Sequence, residues 1–412
     1  MNASKARPLE TTDAGRAAGG ASGGELASPF ASPFARDDFD RDVWSVLGLP
    51  IDVMIAPQAV QAIEIAARDR RPLSFVTPNV NFLVRALASP EARRQIIDTD
   101  LSLVDGAPLV AIGRLAGVPL KERCAGSDVF EALRLRPGFA GRRLRVFFFG
   151  GREGAAAAAA AAVDAEQRGV ESAGWLNPGH GDLDSMSSDA IIREINGSGA
   201  DFVLVALGAA KGQAWIDRNR GRLDAPVVAH LGAVIDFAAG EVRRAPKFIS
   251  RIGLEWAWRI KEDPALWRRY WGDGIALASI IAQRLVPALA AGGTGAAAPA
   301  AATLRLGKGG LVIALSGDLV ASGRDPIRRA FRSAAAEGRD VILDFERAGR
   351  LDASFVGLVL MLEKNLRPNA AVIRLANAKR AHRRIFAANA IDYADVDPAS
   401  PIGEGSAIAA AV

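Results

Sequence analysis

Short apolar runs alternate with longer helix-like stretches between Phe39 and about Gly240. The runs have the length of buried strands, and several end in glycine, aspartate or Thr-Pro-Asn, which are typical where a strand passes into a loop. This alternation predicts an α/β domain built around a mainly parallel sheet. The predicted strands span residues 73–76, 101–104, 144–149, 202–207 and 227–231.

A second alternation follows an Ala/Gly/Thr/Pro segment at 288–302, whose composition is that of a linker. It predicts a small α/β domain over residues 303–412, which we expect to fold independently of the first domain. The predicted strands are 303–306, 311–315, 341–345 and 371–375, and the predicted helices are about 324–337, 355–366 and 378–389.

The remaining segments differ from these two domains in composition. Residues 1–38 are rich in Ala, Gly, Ser and Pro and predict a disordered tail. The first domain should then span 39–242, followed by a helical appendage over 243–287. We find no run of about 18 uninterrupted apolar residues and no apolar secretory signal, so we expect a cytoplasmic protein without a membrane span.

The net charge of +5 is concentrated in the appendage. Between Arg243 and Arg284 there are nine Lys/Arg and four Asp/Glu, together with four of the seven Trp. Aromatic side chains beside cations suit the boundary between water and lipid headgroups. They also suit stacking on single-stranded nucleic acid, so composition alone leaves both partners open.

Few residues of this chain are suited to metal binding or disulfide formation. Cys124 is the only cysteine, and the three histidines (His180, His230 and His382) are scattered along the sequence. We therefore expect no internal disulfide and no cofactor or metal. Cys124 is interpreted as a small buried residue rather than a nucleophile.

Candidate reactive side chains follow the first two predicted strands. Thr77 and Asn79 come after 73–76, and Asp105 comes after 101–104. Carboxyl ends of parallel strands meet at one edge of a sheet, where ligands bind. A carboxylate and a Thr/Asn pair should therefore face one cleft, although an Asp-Gly pair is more often simply a turn.

Glycine-rich strand ends supply further candidates. The loop Gly150–Gly154, with Gly151 as its second residue, can present backbone N–H groups and a helix N-terminus to a diphosphate. Gly208 to Gln213 and Gly232 to Asp236 follow two more predicted strands. None of these is a complete dinucleotide fingerprint, so an oxidoreductase is the weakest of the functions considered.

Taken together, these motifs resemble the WecG/TagA/CpsF glycosyltransferase family over roughly Val43 to Tyr270. The matching positions are Thr77-Pro-Asn79, Asp105-Gly106, Arg123-Cys-Ala-Gly126-Ser-Asp128, Gly208, Trp215, Gly232 to Phe237, Arg244-Ala-Pro246, Gly253-Leu-Glu-Trp256, Arg259, Pro264 and Arg269-Tyr270. The resemblance implies a Rossmann-like α/β domain with a helical C-terminal appendage.

The resemblance also implies inverting, metal-independent transfer from a UDP-sugar donor to a polyprenyl-diphosphate-linked glycan acceptor, in cell-surface or exopolysaccharide synthesis. Asp105 then matches the general base, and Asp236 matches a donor-site position. Thr77, Asn79, Gly126, Asp128, Gly151, Gly208 and Gln213 are the remaining expected substrate-binding residues. Arg244, Lys247, Arg251, Arg259, Arg268 and Arg269 are expected to contact the acceptor phosphates and an anionic membrane surface. The enzyme should thus be peripheral at the inner face of the cell membrane, with no nucleic-acid partner.

One motif departs from the family pattern. Where Gly-x-Pro-Lys-Gln-Glu is common, this chain has Gly208-Ala-Ala-Lys-Gly212-Gln213. The change favours either an altered donor preference or reduced activity, so a catalytically impaired scaffold of polysaccharide assembly is the alternative function.

The second domain resembles the STAS domain of anti-sigma-factor antagonists. The resemblance rests on Ser316 to Leu319, Val341 to Phe345 and Leu351 to Leu358. It implies a small STAS-like regulatory α/β domain with a protein partner or kinase, and Ser354 matches the serine phosphorylated in some members. Phe355 replaces the glycine usual after that serine. The simpler interpretation of Ser354 is a helix N-cap.

Overall fold

A computed structural model of the 412-residue chain describes residues 37–240, 246, 255–262, 264–291, 298–307 and 310–397. The predicted tail at 1–38 therefore lies outside the described residues, except for Asp37 and Asp38. The predicted contacts of Arg244, Lys247 and Arg251 lie outside them too.

The first domain contains a parallel sheet of six strands with the order β4-β3-β8-β7-β5-β6. A two-stranded antiparallel hairpin, β1 and β2, precedes it in the chain. The α/β prediction is confirmed. The strands are β1 Val43–Val46, β2 Leu49–Asp52, β3 Leu73–Val76, β4 Leu101–Ser102, β5 Leu144–Gly150, β6 Val170–Leu176, β7 Phe202–Ala206 and β8 Val227–His230.

Helices follow the strands and cover the sheet. Strands β7 and β8 are buried along their whole length, as expected when helices pack on both faces of a parallel sheet. The helices are α1 Ala56–Arg68, α2 Val80–Ala88, α3 Pro90–Ile97, α4 Ala107–Leu115, α5 Gly126–Leu135, α6 Ala155–Glu166, α7 Asp189–Gly197, α8 Ala209–Asn219 and α9 Gly232–Ala238.

The appendage is helical, as predicted. Its described part consists of α10 Glu255–Glu262 and α11 Trp267–Ile280, a π-helical turn Ile281–Leu285, and α12 Val286–Ala291. Residues Trp267–Ala290 form one helix that is long and apolar enough to cross a membrane, judged by length and composition. Only 6% of its apolar stretch is buried within the protein. The sequence criterion required an uninterrupted apolar run and did not select this helix, which contains Arg268, Arg269, Asp273 and Arg284. The expectation that the chain has no membrane span stays a prediction.

One side of this long helix packs on the first domain. Leu277, Ile280 and Ile281 contact the apolar cluster around β1, β2, α2 and α4, and Leu285 is part of that cluster. A π-helical turn contains more residues than an α-helical turn. Leu285, the last residue of this π-helical turn, lies on the packed side of the helix. The Asn81 amide also donates to the Asp273 carboxylate at 3.3 Å.

The second domain has the predicted strand and helix pattern. Its sheet order is β12-β11-β10-β9, with β9 antiparallel to β10 and the other pairs parallel. The strands are β9 Ala301–Gly307, β10 Gly310–Leu319, β11 Val341–Leu351 and β12 Ile373–Ala376, and the helices are α13 Arg324–Glu337, α14 Ala353–Leu366 and α15 Arg380–Ala388.

The core of the second domain continues into the first. Phe39, Val43 and Ile97 belong to the same buried cluster as the apolar residues of α14. A Cβ atom on Gly357 would overlap with the Val43 backbone, 2.8 Å from its carbonyl carbon. Residues 303–412 therefore pack closely on the first domain, and their independent folding stays a prediction. Linker composition carries no information about surfaces that meet away from the linker.

Charged side chains reinforce this interface. Lys364 on α14 donates to Asp38 at 2.9 Å and to the Thr99 carbonyl at 3.1 Å. The buried Arg41 contacts Met361 of α14 and forms ion pairs with Asp38 and Asp52. Three arginines at i, i+4 and i+8 on α13 face the segment before β1: Arg324 pairs with Asp42, Arg328 donates to the Arg41 carbonyl, and Arg332 pairs with Asp37 and Asp40.

Candidate active site

Asp105 lies directly beyond the carboxyl end of β4. Its backbone N–H donates to the Pro78 carbonyl at 2.8 Å, which joins the ends of β3 and β4. Gly106 has a φ of 88°, a left-handed conformation that favours glycine, and its missing Cβ would lie 3.8 Å from Asn79. The structure thus brings together the two strand ends that the sequence predicted to share a cleft.

The carboxyl group of Asp105 is half-buried among charged residues. Burial is the main cause that raises its pKa to about 6, while Arg259 and Arg123 oppose this rise and Glu255 and Asp128 add to it. Arg123 links the group because it pairs with both Glu255 and Asp128. Carboxyls tuned toward neutral pH are typical of general acids and bases.

Helix α10 of the appendage completes this charged group. Glu255, at its first turn, pairs with Arg123 and lies 3.5 Å from the guanidinium of Arg259. The guanidinium of Arg259 also lies over the ring of Phe237, 5.5 Å from its centroid. Arg259 was predicted for acceptor or membrane contact, and the structure places it where its charge also acts on Asp105.

Thr77 and Gly126 meet beside the ends of β3 and β8. A Cβ atom on Gly126 would overlap with Leu231 and would lie 3.3 Å from the Thr77 methyl carbon. Glycine at 126 therefore lets the first turn of α5 approach the sheet edge. Asp128, on the same turn, lies 3.3 Å from Arg123.

Asn79 has a structural role in this conformation. Its side-chain oxygen accepts from the N–H groups of Asn81 at 3.0 Å and Phe82 at 3.3 Å, which caps the first turn of α2. A substrate contact from Asn79 would have to use its amide nitrogen or displace the cap.

Two glycine turns shape the other half of the edge. Gly151 has a φ of 88°, and its N–H donates to the Ala206 carbonyl at 2.8 Å. Gly208 has a φ of 78° and precedes α8, with open space where a Cβ would be. Of the two, the turn at Gly208 leaves its backbone open beside a helix N-terminus, as binding of a diphosphate requires, whereas the Gly151 N–H is already used within the sheet edge.

Gln213 and Asp236 lie on the helices that follow β7 and β8. Gln213 is buried, and its amide nitrogen donates to the Gln95 carbonyl at 3.2 Å. Asp236 is half-buried on α9, one helix turn beyond the end of β8. Both helices start at the carboxyl edge, beyond β7 and β8, and β8 is the neighbour of β3 in the sheet.

Arg268 and Arg269 lie on the exposed start of α11. Each contacts its neighbouring aromatic ring, with Arg268 5.8 Å from the Trp267 centroid and Arg269 5.0 Å from that of Tyr270. Neither belongs to the charged group around Asp105. Of the predicted basic residues that the structure describes, Arg259 therefore lies at the site and these two lie at the surface.

Ser354 lies at the start of α14 and is fully buried. Its hydroxyl donates to Asp352 at 2.6 Å, and Asp352 caps the helix by accepting from the N–H groups of Ser354 and Phe355. The adjacent Ala353 packs on the first domain. A kinase would therefore need this interface to open before reaching the serine, and its phosphorylation stays a prediction.

Among the described residues, no three His, Cys, Asp or Glu side chains are grouped to hold a metal ion. Cys124 is buried, as expected, and burial is the main cause that raises its thiol pKa to about 12. Its sulfur is therefore a protonated packing group at neutral pH.

Sequence reasoning did not assign a role to Arg123 or Glu255. Both were visible only as parts of motifs, and their convergence on Asp105 depends on α10 folding back onto the segment before α5, 132 residues away along the chain. Spacing along a single helix gives no signal for such contacts.

Comparison with known proteins matches each of the two domains to a protein family. The model described as the Glycosyl transferase WecG/TagA/CpsF family matches residues 44–289, and the model described as Mlab, STAS domain matches residues 302–393.

Two relatives are both named N-acetylglucosaminyldiphosphoundecaprenol N-acetyl-beta-D-mannosaminyltransferase. That of Bacillus spizizenii strain W23 is 31% identical over 195 residues, covering 47% of this chain and 73% of the relative. That of Bacillus subtilis strain 168 is 27% identical over 198 residues, covering 48% and 73%. Among solved structures, the phosphorylated Bacillus cell fate determinant SpoIIAA is 31% identical, with a TM-score of 0.19, and covers 21% of this chain and 81% of its own.

Proposed function

Because this chain belongs to the WecG/TagA/CpsF glycosyltransferase family, we propose that it transfers a sugar from a UDP-sugar to a polyprenyl-diphosphate-linked glycan in cell-surface polysaccharide synthesis. The names of its relatives support a lipid-linked acceptor and an N-acetylmannosaminyl donor group. The observation that carries the proposal is the half-buried Asp105, whose pKa is raised to about 6 beside Arg123 and Arg259.

In the proposed reaction, Asp105 accepts the proton of the acceptor hydroxyl as that oxygen attacks the anomeric carbon. The bond from the anomeric carbon to the donor diphosphate breaks on the opposite side, which inverts the configuration. Negative charge then develops on the leaving nucleoside diphosphate. Arginine side chains and the helix N-terminus after Gly208 can stabilise this charge, so the proposed step does not require a metal ion.

The direct test uses the full-length protein, UDP-N-acetylmannosamine and undecaprenyl-diphosphate N-acetylglucosamine. We expect a lipid-linked disaccharide with inverted configuration, and an Asp105→Asn variant that is folded but nearly inactive. A panel of other UDP-sugars covers a changed donor preference caused by Gly212 and Gln213. A folded wild-type protein that transfers none of these sugars would favour the scaffold alternative.

We further propose that the long helix docks the enzyme peripherally on the inner face of the cell membrane. Its solvent side exposes Trp267, Trp271 and Ile275, of which Trp271 is 68% exposed, and Val286 and Leu289 continue the exposed apolar surface. Since the other side packs on protein, the docked helix can lie in an interface without being surrounded by lipid. Arg268 and Arg269 add cations at the headgroup level.

Vesicle sedimentation tests this docking surface. Replacing Trp267 and Trp271 with serine should reduce binding to anionic vesicles. High salt should weaken the binding of the wild type, because it screens the attraction between Arg268, Arg269 and the anionic headgroups. Trp175→Ser is the matched control, because Trp175 is 50% exposed but lies on the edge strand β6. Equal binding by the double variant and the wild type would contradict the proposal.

A further inference from the structure

Strand β4, which leads to Asp105, is only two residues long and lies at the edge of its sheet. Backbone bonds join the segment around β4 to β3 and the residues after it. The N–H groups of Asp100, Leu103 and Asp105 donate to the carbonyls of Ser74, Val76 and Pro78 at 2.8–2.9 Å. So few bonds make a short edge segment easy to open. The position of Asp105, at the end of this series, therefore depends on what else holds the segment.

Two buried side chains of the first domain hold the segment on either side of Leu101. The Asp52 carboxylate, on β2, accepts the Ser102 N–H at 2.7 Å. The same carboxylate accepts from Nε and Nη2 of Arg41 at 3.1 and 2.8 Å. Nη1 of Arg41 donates to the Thr99 carbonyl at 3.2 Å. Hydrogen bonds that involve a charged group are stronger than neutral ones, so Arg41 and Asp52 restrain the backbone before and within β4.

Helix α14 of the second domain adds a cation to the same backbone. Nζ of Lys364 donates to the Thr99 carbonyl at 3.1 Å and lies 3.8 Å from the Asp100 carboxylate. The Thr99 carbonyl thus accepts from two cations, one from each domain. The sulfur of Met361, on the preceding turn of α14, lies 3.4 Å from Nη1 of Arg41. Helix α14 therefore contacts the β4 segment directly through Lys364 and also packs on the arginine that holds it.

We propose that Lys364 of the second domain is a positioning residue for glycosyl transfer. The proposal rests on the proposed function, in which Asp105 is the general base. Lys364 acts through the backbone: it fixes Thr99, the β4 segment stays paired with β3, and Asp105 stays at the carboxyl edge. Reacting groups need accurate placement, and a misplacement of about 1 Å can lower a rate about 10²-fold. The second domain then contributes to the activity of the first without lining its candidate site.

Lys364→Met in the full-length protein tests this role, because it removes the donors and keeps an unbranched side chain. Arg41 still pairs with Asp38 and Asp52 in this variant, so the protein should fold. We expect kcat for sugar transfer to fall about tenfold, with an unchanged KM for the UDP-sugar. Amide hydrogen exchange of residues 100–105, measured by mass spectrometry, should become faster. Lys364→Arg retains a cationic donor and should restore both quantities.

Arg332→Met is the matched control. Arg332 lies on α13 and pairs with Asp37 and Asp40, so it also joins the second domain to the first. Its partners precede β1 rather than β4. The control should therefore leave kcat and the exchange of residues 100–105 unchanged, even if it lowers the free energy of unfolding.

Slower transfer and faster exchange in Lys364→Met, with neither change in Arg332→Met, supports the proposal. An equal loss of kcat in both variants refutes it, because any weakening between the domains would then suffice. An unchanged kcat in Lys364→Met also refutes it, and the proposed function stands because the wild type transfers sugar. A wild type that transfers no sugar overturns the proposed function and, with it, the catalytic role of Lys364. Faster exchange of residues 100–105 in Lys364→Met alone would still support the structural part, that Lys364 holds β4. If Lys364→Met does not fold, Lys364→Gln, which removes the charge and keeps one amide donor on a shorter side chain, takes its place in the same measurements.

Discussion

Replacing Gly357 with alanine should destabilise the whole protein, although the same change normally stabilises a helix. Gly357 lies inside α14, where alanine is favoured over glycine by about 1 kcal/mol. Its missing Cβ, however, would overlap with the backbone of Val43 on β1. Backbone atoms of a paired strand cannot rotate away, so the methyl group must push α14 off the hairpin.

The magnitude follows from these two opposing effects. Inserting a methyl group into a well-packed interface costs about 1–3 kcal/mol, of which the helix propensity offsets about 1 kcal/mol. We therefore expect the free energy of unfolding of the full-length protein to fall by up to about 2 kcal/mol. Val43 and Phe39 would also become less well packed, since both belong to the core that α14 shares with β1.

Urea unfolding of full-length Gly357→Ala, followed by circular dichroism and tryptophan fluorescence, measures this change. Gly274→Ala is the matched control, because Gly274 also lies within a helix but has no atom within 4 Å of its missing Cβ. The control should be at least as stable as the wild type. A Gly357→Ala variant as stable as its control would refute the close packing of the two domains.

Three further predictions concern the charged groups. Asp105→Asn should lower transfer by about 10²–10⁴, and the wild-type rate should fall as the pH drops through about 6, where Asp105 becomes protonated. The folded state binds this proton more tightly than the unfolded state, so the contribution of Asp105 to the free energy of unfolding falls as the pH rises from about 4 to about 6. Asp105→Asn should therefore unfold at a higher temperature than the wild type at pH 7. Equal unfolding temperatures would contradict the argument that burial raises the pKa of Asp105. Arg259→Gln should move the acidic limb of the pH–rate profile to higher pH, because Arg259 lowers the pKa of Asp105. Glu255→Gln should move it to lower pH, because Glu255 raises that pKa. Shifts in the same direction would exclude this electrostatic model. Arg41→Met should cost about 3–5 kcal/mol by leaving Asp52 buried without a cation, while Asp38 keeps its ion pair with Lys364. Arg218→Met, whose side chain is 46% exposed in its ion pair with Asp184, should cost less than about 1 kcal/mol in the same denaturation assay.

Hydrophobic patterning predicted most of the sheet strands but missed the β1–β2 hairpin and β6. The predicted strands 202–207 and 227–231 are continuous apolar runs, and both are central strands buried on two faces. Strand β6 contains Glu171, Ser172 and Gly174 and lies at the sheet edge, where Val170 is its one fully buried residue and most others are half-buried. Its formation depends on pairing with β5, which local composition does not encode.

The candidate site was predicted where it follows from strand order and missed where it follows from packing between distant segments. Asp105 and Asn79 could be paired because parallel strand ends share an edge. The contact of Glu255 with Arg123 spans 132 residues along the chain. It depends on how the appendage folds back, which is a property of the packed surfaces rather than of either motif.

Ser354 lies on a helix that packs on the first domain, so the second domain is more than a module attached through a linker. Helix α14, whose first turn contains this serine, packs on β1 at Gly357, and Lys364 near its end donates to the Thr99 carbonyl, two residues before β4. Strand β4 leads directly to Asp105, and Asp52 holds the Ser102 N–H of that strand at 2.7 Å while it binds Arg41. One helix of the second domain is thus connected through Lys364, Arg41 and Asp52 to the strand that carries the candidate base. If a kinase reaches Ser354 by separating α14 from β1, the same step would remove this support from the strand that precedes Asp105.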